Sequence, residues 1–204
     1  MRLILRPTFL FAVLTLSGCA ASYKPIKPEK LTYPRTFETS DLKLIYEYDV
    51  LSRAKNKKYA KKERTHLVNL VAVDITNKTD RPLTINEDVK FYSGARELNL
   101  MSPQLTKAEL KQIAPLYLLW SLFWVVIYKC EDKDCDVTPI PIGLGIGLLN
   151  TAIASGANKN LLNELTKYDV IGKVVQPGET LNGLIAFGHQ PQKELRAQIV
   201  KTEN

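Results

Sequence analysis

The chain has 204 residues, of which 45% are hydrophobic and 24% are charged, and its formal net charge is +7. This length suits one domain with a sizeable core and room for an insertion. The modest positive charge is not typical of a nucleic-acid-binding protein of this size, so we expect no nucleic-acid partner.

Residues 1–18 predict an export signal. Arg2 and Arg6 precede an apolar run over residues 7–16, and two small residues then lead into Cys19. This basic-then-apolar order is that of a secretory signal. The apolar run is shorter than the ~20 residues that a membrane-spanning helix needs, which argues against an uncleaved anchor. Cleavage before Cys19 leaves 186 residues with a net charge of +5.

The segment Leu16-Ser17-Gly18-Cys19 resembles the lipobox of bacterial lipoproteins, a likeness confined to about the first twenty residues. The resemblance implies that Cys19 becomes the mature N-terminus and carries acyl chains such as palmitate. The membrane is then a partner through this anchor, and we expect no cofactor besides the covalent lipid. In that family an aspartate after the cysteine often retains the protein at the inner membrane, so Ala20 favours the outer membrane of the cell envelope.

Residues 19–36 follow as the lipidated N-terminus and a tether. Three prolines lie among lysines and tyrosines here, with little apolar periodicity. This composition predicts a semi-extended segment that holds the following domain away from the membrane. A frayed terminus is the alternative.

Residues 37–204 predict a mainly β domain. Apolar and aromatic residues alternate with mostly polar ones over 42–49, which is typical of a strand, and residues 66–76 read as a central strand covered on both faces. Further strands are predicted near 83–85, 89–92, 170–175, 181–187 and 195–199, with turns at 77–82 and 176–179. Short strands separated by turns favour an immunoglobulin-like antiparallel β-sandwich.

An interruption over about residues 102–167 makes the predicted fold α+β overall. Residues 113–128 and 137–157 carry no charged side chain, and residues 158–167 resume an amphipathic helical pattern. We therefore expect an apolar helical hairpin inserted between strands of the sandwich. Membrane crossing is not expected, because the first arm is short and the excess of lysine and arginine lies at the base of the hairpin.

The two arms of this hairpin carry complementary patterns. Large side chains recur every four residues at Leu116, Trp120, Trp124 and Tyr128. Small ones recur likewise at Gly143, Gly147, Thr151 and Ser155, which lets another helix approach closely. We expect the hairpin to fold against its own sheet. The alternative is an apolar surface that binds lipid or another envelope protein, with Trp120 and Trp124 as contact residues.

Cys130 and Cys135 form an even pair in an oxidising compartment, which predicts a disulfide at the hairpin tip. The alternative, a metal site, needs more ligands, and neither His66 nor His189 lies nearby in sequence. We therefore predict no metal.

A basic cluster precedes the central strand. It consists of Arg53, Lys55, Lys57, Lys58, Lys61, Lys62 and Arg64. We expect it in a loop between the first two long strands. A solvated loop tip is the simpler interpretation, and the alternative is a patch that binds anionic lipid or polysaccharide, with Lys57, Lys58, Lys61 and Lys62 as contact residues.

No catalytic motif is present, so we predict no catalytic residue and no enzyme. The sequence favours a non-enzymatic binding or scaffolding role at the membrane surface. A second hypothesis is carriage of a lipid or other apolar ligand between hairpin and sheet. An enzyme, the third, would need a polar cleft that the sequence does not indicate.

Overall fold

The computed structural model of this chain describes residues 19–131, 134–188 and 194–200. Side chains are described over the same ranges except at 129–131 and 134–135. The export signal of residues 1–18 and His189 lie outside the described residues.

Eleven strands and four α-helices are assigned in the described residues. The strands are β1 Arg35–Glu38, β2 Leu42–Glu47, β3 Val68–Asn77, β4 Leu83–Thr84, β5 Val89–Ser93, β6 Arg96–Glu97, β7 Val125–Glu131, β8 Asp134–Ile140, β9 Val174–Val175, β10 Thr180–Gly188 and β11 Leu195–Ile199. The helices are α1 Val50–Arg53, α2 Lys57–Thr65, α3 Pro103–Leu110 and α4 Ile142–Lys167. Two 3-10 helices span Pro28–Lys30 and Ala114–Leu122.

The chain forms two compact units. The first unit contains the described residues 19–22 together with residues 112–157, and the second contains residues 23–111 and 158–200. Helix α4 contributes its first sixteen residues to the first unit and its remainder to the second.

The second unit contains three antiparallel sheets. The largest has the strand order β1-β2-β3-β10, the next has β11-β5-β6, and β4 pairs with β9. In the largest sheet, Tyr46 of β2 lies opposite Val73, and Val73 lies opposite Gly183 of β10. Strand β3 is thus central and largely buried, as residues 66–76 predicted.

A single buried cluster packs between these strands. It takes side chains from β2, β3 and β10 of the larger sheet and from β5 and β11 of the three-stranded sheet. The backbone N–H of Leu195 on β11 also donates to the hydroxyl of Tyr46 on β2, at 3.1 Å. The predicted alternation is confirmed here, because Leu42, Leu44 and Tyr46 all point into this cluster.

The predicted fold class is confirmed only in its antiparallel sheets. Helices account for 35% of the residues and strands for 34%, so the chain is mixed rather than mainly β. Part of the helical content comes from α2, whose residues were expected in a loop.

The predicted helical hairpin is wrong in its first arm. Residues 114–122 form a 3-10 helix with Pro115 in its first turn, and residues 125–140 form a β-hairpin of β7 and β8. The β-branched run Val125-Val126-Ile127 favours a strand, while Pro139 and Pro141 cannot lie inside a helix. Only the second arm, α4, is helical as expected.

Most of the predicted tether packs within the second unit. Tyr23, Ile26 and Pro28 are buried in the second unit, and backbone N–H groups of Ile26 and Lys27 donate to the carboxylate of Glu164 on α4. Pro28 begins the first 3-10 helix, and the apolar side chains between the lysines give the segment a surface to bury.

Candidate membrane-binding site

Cys19 is the first described residue and is exposed. The two residues after it are held by amide side chains of the same unit. Ala20 N–H donates to Asn150 Oδ1 at 2.6 Å, and Ala21 N–H donates to Gln112 Oε1 at 3.1 Å. Gln112 Nε2 donates in return to the carbonyl of Ala21 at 2.6 Å. Cys19 therefore directly precedes a backbone segment that is held by the side-chain amides of Gln112 and Asn150, here called the clasp residues.

The clasp residues belong to a polar, close-packed interior of the first unit. Gln112 and Asn150 are 4% and 6% exposed, although both lie next to long uncharged runs in the sequence. Thr151 Oγ1 lies 3.3 Å from the carbonyl of Ala114, to which it donates. Neither amide was predicted as a site residue. The signal in the sequence was a polar residue beside an uncharged apolar run, for Gln112, or within one, for Asn150.

Glycines bring α4 against the second 3-10 helix. A Cβ atom on Gly143 would lie 1.9 Å from the carbonyl oxygen of Trp120, and one on Gly147 would lie 3.0 Å from that of Tyr117. Gly143 N–H also donates to the carbonyl of Phe123 at 3.0 Å. The predicted close approach at the small residues is therefore present. The atoms next to Gly143 and Gly147 are mainly backbone atoms of the 3-10 helix rather than the large side-chain rings.

The surface of the first unit is apolar. Trp124 is 57% exposed and Leu122 is 72% exposed, whereas Trp120 is half-buried with its ring 5.2 Å from that of Phe123. The other exposed large apolar side chains of this unit are Ile113, Leu116, Leu118, Leu119, Phe123, Val125, Val126, Ile127, Tyr128, Val137, Ile140, Ile142, Leu144, Ile146, Leu148 and Leu149. In the described part of the second unit only Leu67, Leu105, Val174 and Val200 are comparable.

In the described residues of the first unit, most large apolar side chains therefore remain exposed. Monomeric soluble proteins rarely expose contiguous apolar patches larger than a few hundred Å², and larger patches mark sites for lipid or for another protein. The surface of this unit has the composition expected of such a site.

Cys130 and Cys135 are opposite one another in the register of the β7–β8 hairpin. Directly opposite residues of an antiparallel pair have Cα atoms about 4.5–5.5 Å apart, a separation that a disulfide spans. Their side chains lie outside the described residues, so the disulfide stays a prediction.

The basic cluster lies on helices α1 and α2 rather than in the predicted loop, except for Lys55, which lies in the turn between them. Lysine favours helices, and Tyr59, Ala60 and Glu63 recur at helical spacing to form the buried face of α2. Lys57 and Lys61 are exposed, and Lys58 and Lys62 are half-buried. His66 Nε2 lies 3.4 Å from Lys62 Nζ, and its Nδ1 lies 2.9 Å from Glu109 Oε2.

The second unit has a cleft of about 470 Å³ beside Glu164. Glu164 is 8% exposed and accepts hydrogen bonds from the Tyr23 hydroxyl and from Ile26 and Lys27 N–H. Burial, followed by this hydrogen bond, raises the pKa of Tyr23 well above its usual range. With its acceptors used by the chain itself, the carboxylate fastens the N-terminal segment and is not poised for catalysis.

Two observations bear on other kinds of site. No group of three or more histidine, cysteine, aspartate or glutamate residues close enough to bind a metal occurs among the described residues. The cavity that Leu165 of α4 lines with Leu70 and Leu184 of the large sheet is only about 10 Å³.

No helix in the described ranges is both long and apolar enough to span a membrane.

Comparison with protein-family models, curated proteins and solved structures gave no significant match to this chain.

Proposed function

We propose that this chain is a lipid-anchored protein of the bacterial cell envelope, placed at the outer membrane, with a non-enzymatic binding or scaffolding role. The observation that carries the proposal is the location of Cys19. The residue that the lipobox marks for acylation lies in the same compact unit as the exposed apolar surface. Acyl chains on Cys19 would bring that surface to the bilayer.

The second unit contributes the β-sheet framework of the protein. Its strands share one buried cluster, which takes side chains from the four-stranded sheet, the three-stranded sheet and the β4–β9 pair. This shared core supports an immunoglobulin-like sandwich as its architecture. Such a framework presents loops and sheet faces to a partner without needing a catalytic cleft.

Carriage of an apolar ligand has weaker support. Ligand cavities generally measure about 300–1,000 Å³. The cavity beside Leu165 in the second unit is about 10 Å³, and the larger cleft beside Glu164 is bordered by the charged side chains of Lys27, Glu29 and Lys167. A binding or scaffolding role is therefore the better supported of the two.

Acylation of Cys19 tests the proposal. The full-length protein is expressed in a bacterial host fed with an alkynyl fatty acid, and the control is Cys19→Ser in the same chain. We expect label on the wild type alone, a mature chain lacking residues 1–18, and recovery in the outer-membrane fraction. An unlabelled wild type that retains residues 1–18 would refute the lipoprotein assignment.

A further inference from the structure

In the described part of the first unit, small and amide residues are buried and large apolar residues are exposed. The residues buried in its described part are Gln112, Ala114, Gly143, Gly147, Asn150, Ala154 and Ala157. These are small or amide residues, and no large apolar side chain in the described part of the unit is buried. Its large apolar side chains are on the outside instead. A soluble unit gains its stability from the opposite arrangement.

Polar contacts hold this interior together. Asn150 accepts from Ala20 N–H at 2.6 Å and donates to the carbonyl of Ile146 at 2.9 Å. Gln112 accepts from the Tyr117 hydroxyl at 3.3 Å as well as from Ala21 N–H. Small residues and amide hydrogen bonds are what join segments in a membrane, where apolar contact with lipid replaces a hydrophobic core.

We propose that the apolar surface of the first unit inserts into the membrane–water interface, in the same leaflet that receives the acyl chains of Cys19. This inference rests on the proposed function, because acylated Cys19 supplies the leaflet. Leu148 and Leu149 immediately precede Asn150, the residue that fixes Ala20. Cys19 is therefore joined to a backbone segment that α4 holds, in the unit that carries the exposed apolar residues.

A bilayer is the occupant that the chemistry favours. No charged residue occurs over residues 113–128 or 137–157, so the surface offers a protein partner no ion pair. Trp124 and Tyr128, both more than half exposed, are the residue types enriched where hydrocarbon meets head groups. A covalently attached lipid also keeps this surface at a bilayer permanently.

The β-hairpin fixes the depth of insertion. In the described residues β7 pairs only with β8, so each strand leaves one edge of backbone N–H and C=O groups without a strand partner. Such edges are not tolerated inside hydrocarbon but are solvated at the head groups. The unit therefore lies in the interface, about 5–10 Å into the boundary, as monotopic segments do.

The two tryptophans of the chain, Trp120 and Trp124, both lie in this unit and make the test direct. The acylated full chain is purified and reconstituted in vesicles of phosphatidylethanolamine with some phosphatidylglycerol. We expect a blue-shifted emission and about a twofold loss of emission when the acyl chains are brominated. The control Trp120→Phe/Trp124→Phe/Leu105→Trp moves the reporter to the exposed face of α3, where bromolipid should not quench it.

Emission that iodide quenches but bromolipid does not would overturn the inference. Protection from both quenchers, with a dimeric mass in detergent, would also overturn it by assigning the surface to a second copy of the chain.

A second pair of variants separates this inference from the proposed function. In a Cys19→Ser background without the signal, Leu122→Asp/Leu149→Asp should weaken vesicle binding at least about tenfold, whereas the exposed Leu105→Asp should not. Unchanged binding by the first variant would refute insertion even if Cys19 is acylated. Conversely, if the apolar surface inserts but the wild-type chain carries no acyl label on Cys19, only the lipid anchor is refuted.

Discussion

Glu63 is a carboxylic acid in a buried position. It lies on α2, is 7% exposed, and accepts a hydrogen bond from Leu70 N–H at 2.8 Å. Burial raises the pKa of its carboxyl group to about 7, against the opposing effect of the Leu70 hydrogen bond and with a smaller contribution from Asp49. The carboxyl is therefore harder to ionise in the folded chain than in the unfolded one.

This shift predicts a pH-dependent stability. Because the folded-state pKa is raised, Glu63 contributes its full stability below the unfolded value of 4.5 and loses it as pH rises towards about 7. Glu63→Gln keeps an acceptor for Leu70 without a charge. We expect the variant to match the wild type at low pH and to exceed it by about 2–3 kcal/mol in free energy of unfolding above pH ~8.

Urea unfolding across this pH range measures the difference, with the exposed Glu87→Gln as control. A wild-type-minus-variant difference that stays constant with pH would contradict the assignment.

At the scale of elements, the packing of α4 against the second 3-10 helix depends on glycine. The Gly143 Cα faces the Trp120 carbonyl with no room for a Cβ, whereas a Cβ on Gly145 would meet nothing within 4 Å. An added Cβ at Gly143 must therefore disturb the contact between α4 and the 3-10 helix, whereas an added Cβ at Gly145 meets no neighbouring atom.

We expect Gly143→Ala to destabilise the first unit by about 1–3 kcal/mol, because the backbone of the 3-10 helix must move away. Gly145→Ala should instead be neutral or stabilising by up to about 1 kcal/mol through helix propensity. Thermal unfolding of the detergent-solubilised protein, followed by tryptophan emission, compares the two. Equal effects from both substitutions would show that the contact is absent.

The β7–β8 hairpin carries a prediction of its own. If Cys130 and Cys135 are joined, both thiols resist alkylation until a reductant is added, and mass spectrometry gains two adducts only then. Closing so short a loop should stabilise the hairpin by about 2 kcal/mol in the chain-entropy account. Alkylation of both cysteines in the untreated, exported protein would rule the bond out.

At the scale of the whole molecule, the basic cluster and the anchor predict a salt-sensitive membrane association. In the Cys19→Ser background, Lys57→Gln/Lys61→Gln should lower affinity for phosphatidylglycerol vesicles about thirtyfold at low salt, since each of the two lysines near an anionic surface contributes about 1 kcal/mol. The difference should shrink as salt is added. The control Lys30→Gln/Lys173→Gln removes the same charge from exposed positions elsewhere. Equal losses in both pairs would show that net charge, not the cluster, governs binding.

The sequence by itself determined the local features whose physical cause is local. Period-two alternation located β2, a continuous apolar run located the central β3, and residues 176–179 form the expected turn, with Gly178 at φ 76°. The lipobox pattern at Cys19 likewise lies within four consecutive residues. Such features depend on neighbours in the chain, which periodicity records directly.

Only the tertiary structure decided how the uncharged segments are arranged. An apolar run without alternation does not distinguish a buried helix from a strand, so residues 113–128 predicted a helical arm although Val125, Val126 and Ile127 lie in β7. The pairing of Ala20 with Asn150 and of Ala21 with Gln112 joins residues far apart in the chain, and no spacing rule relates them. The exposure of the apolar surface could not be predicted for the same reason. Whether a large side chain is covered depends on tertiary packing, which the linear pattern does not contain.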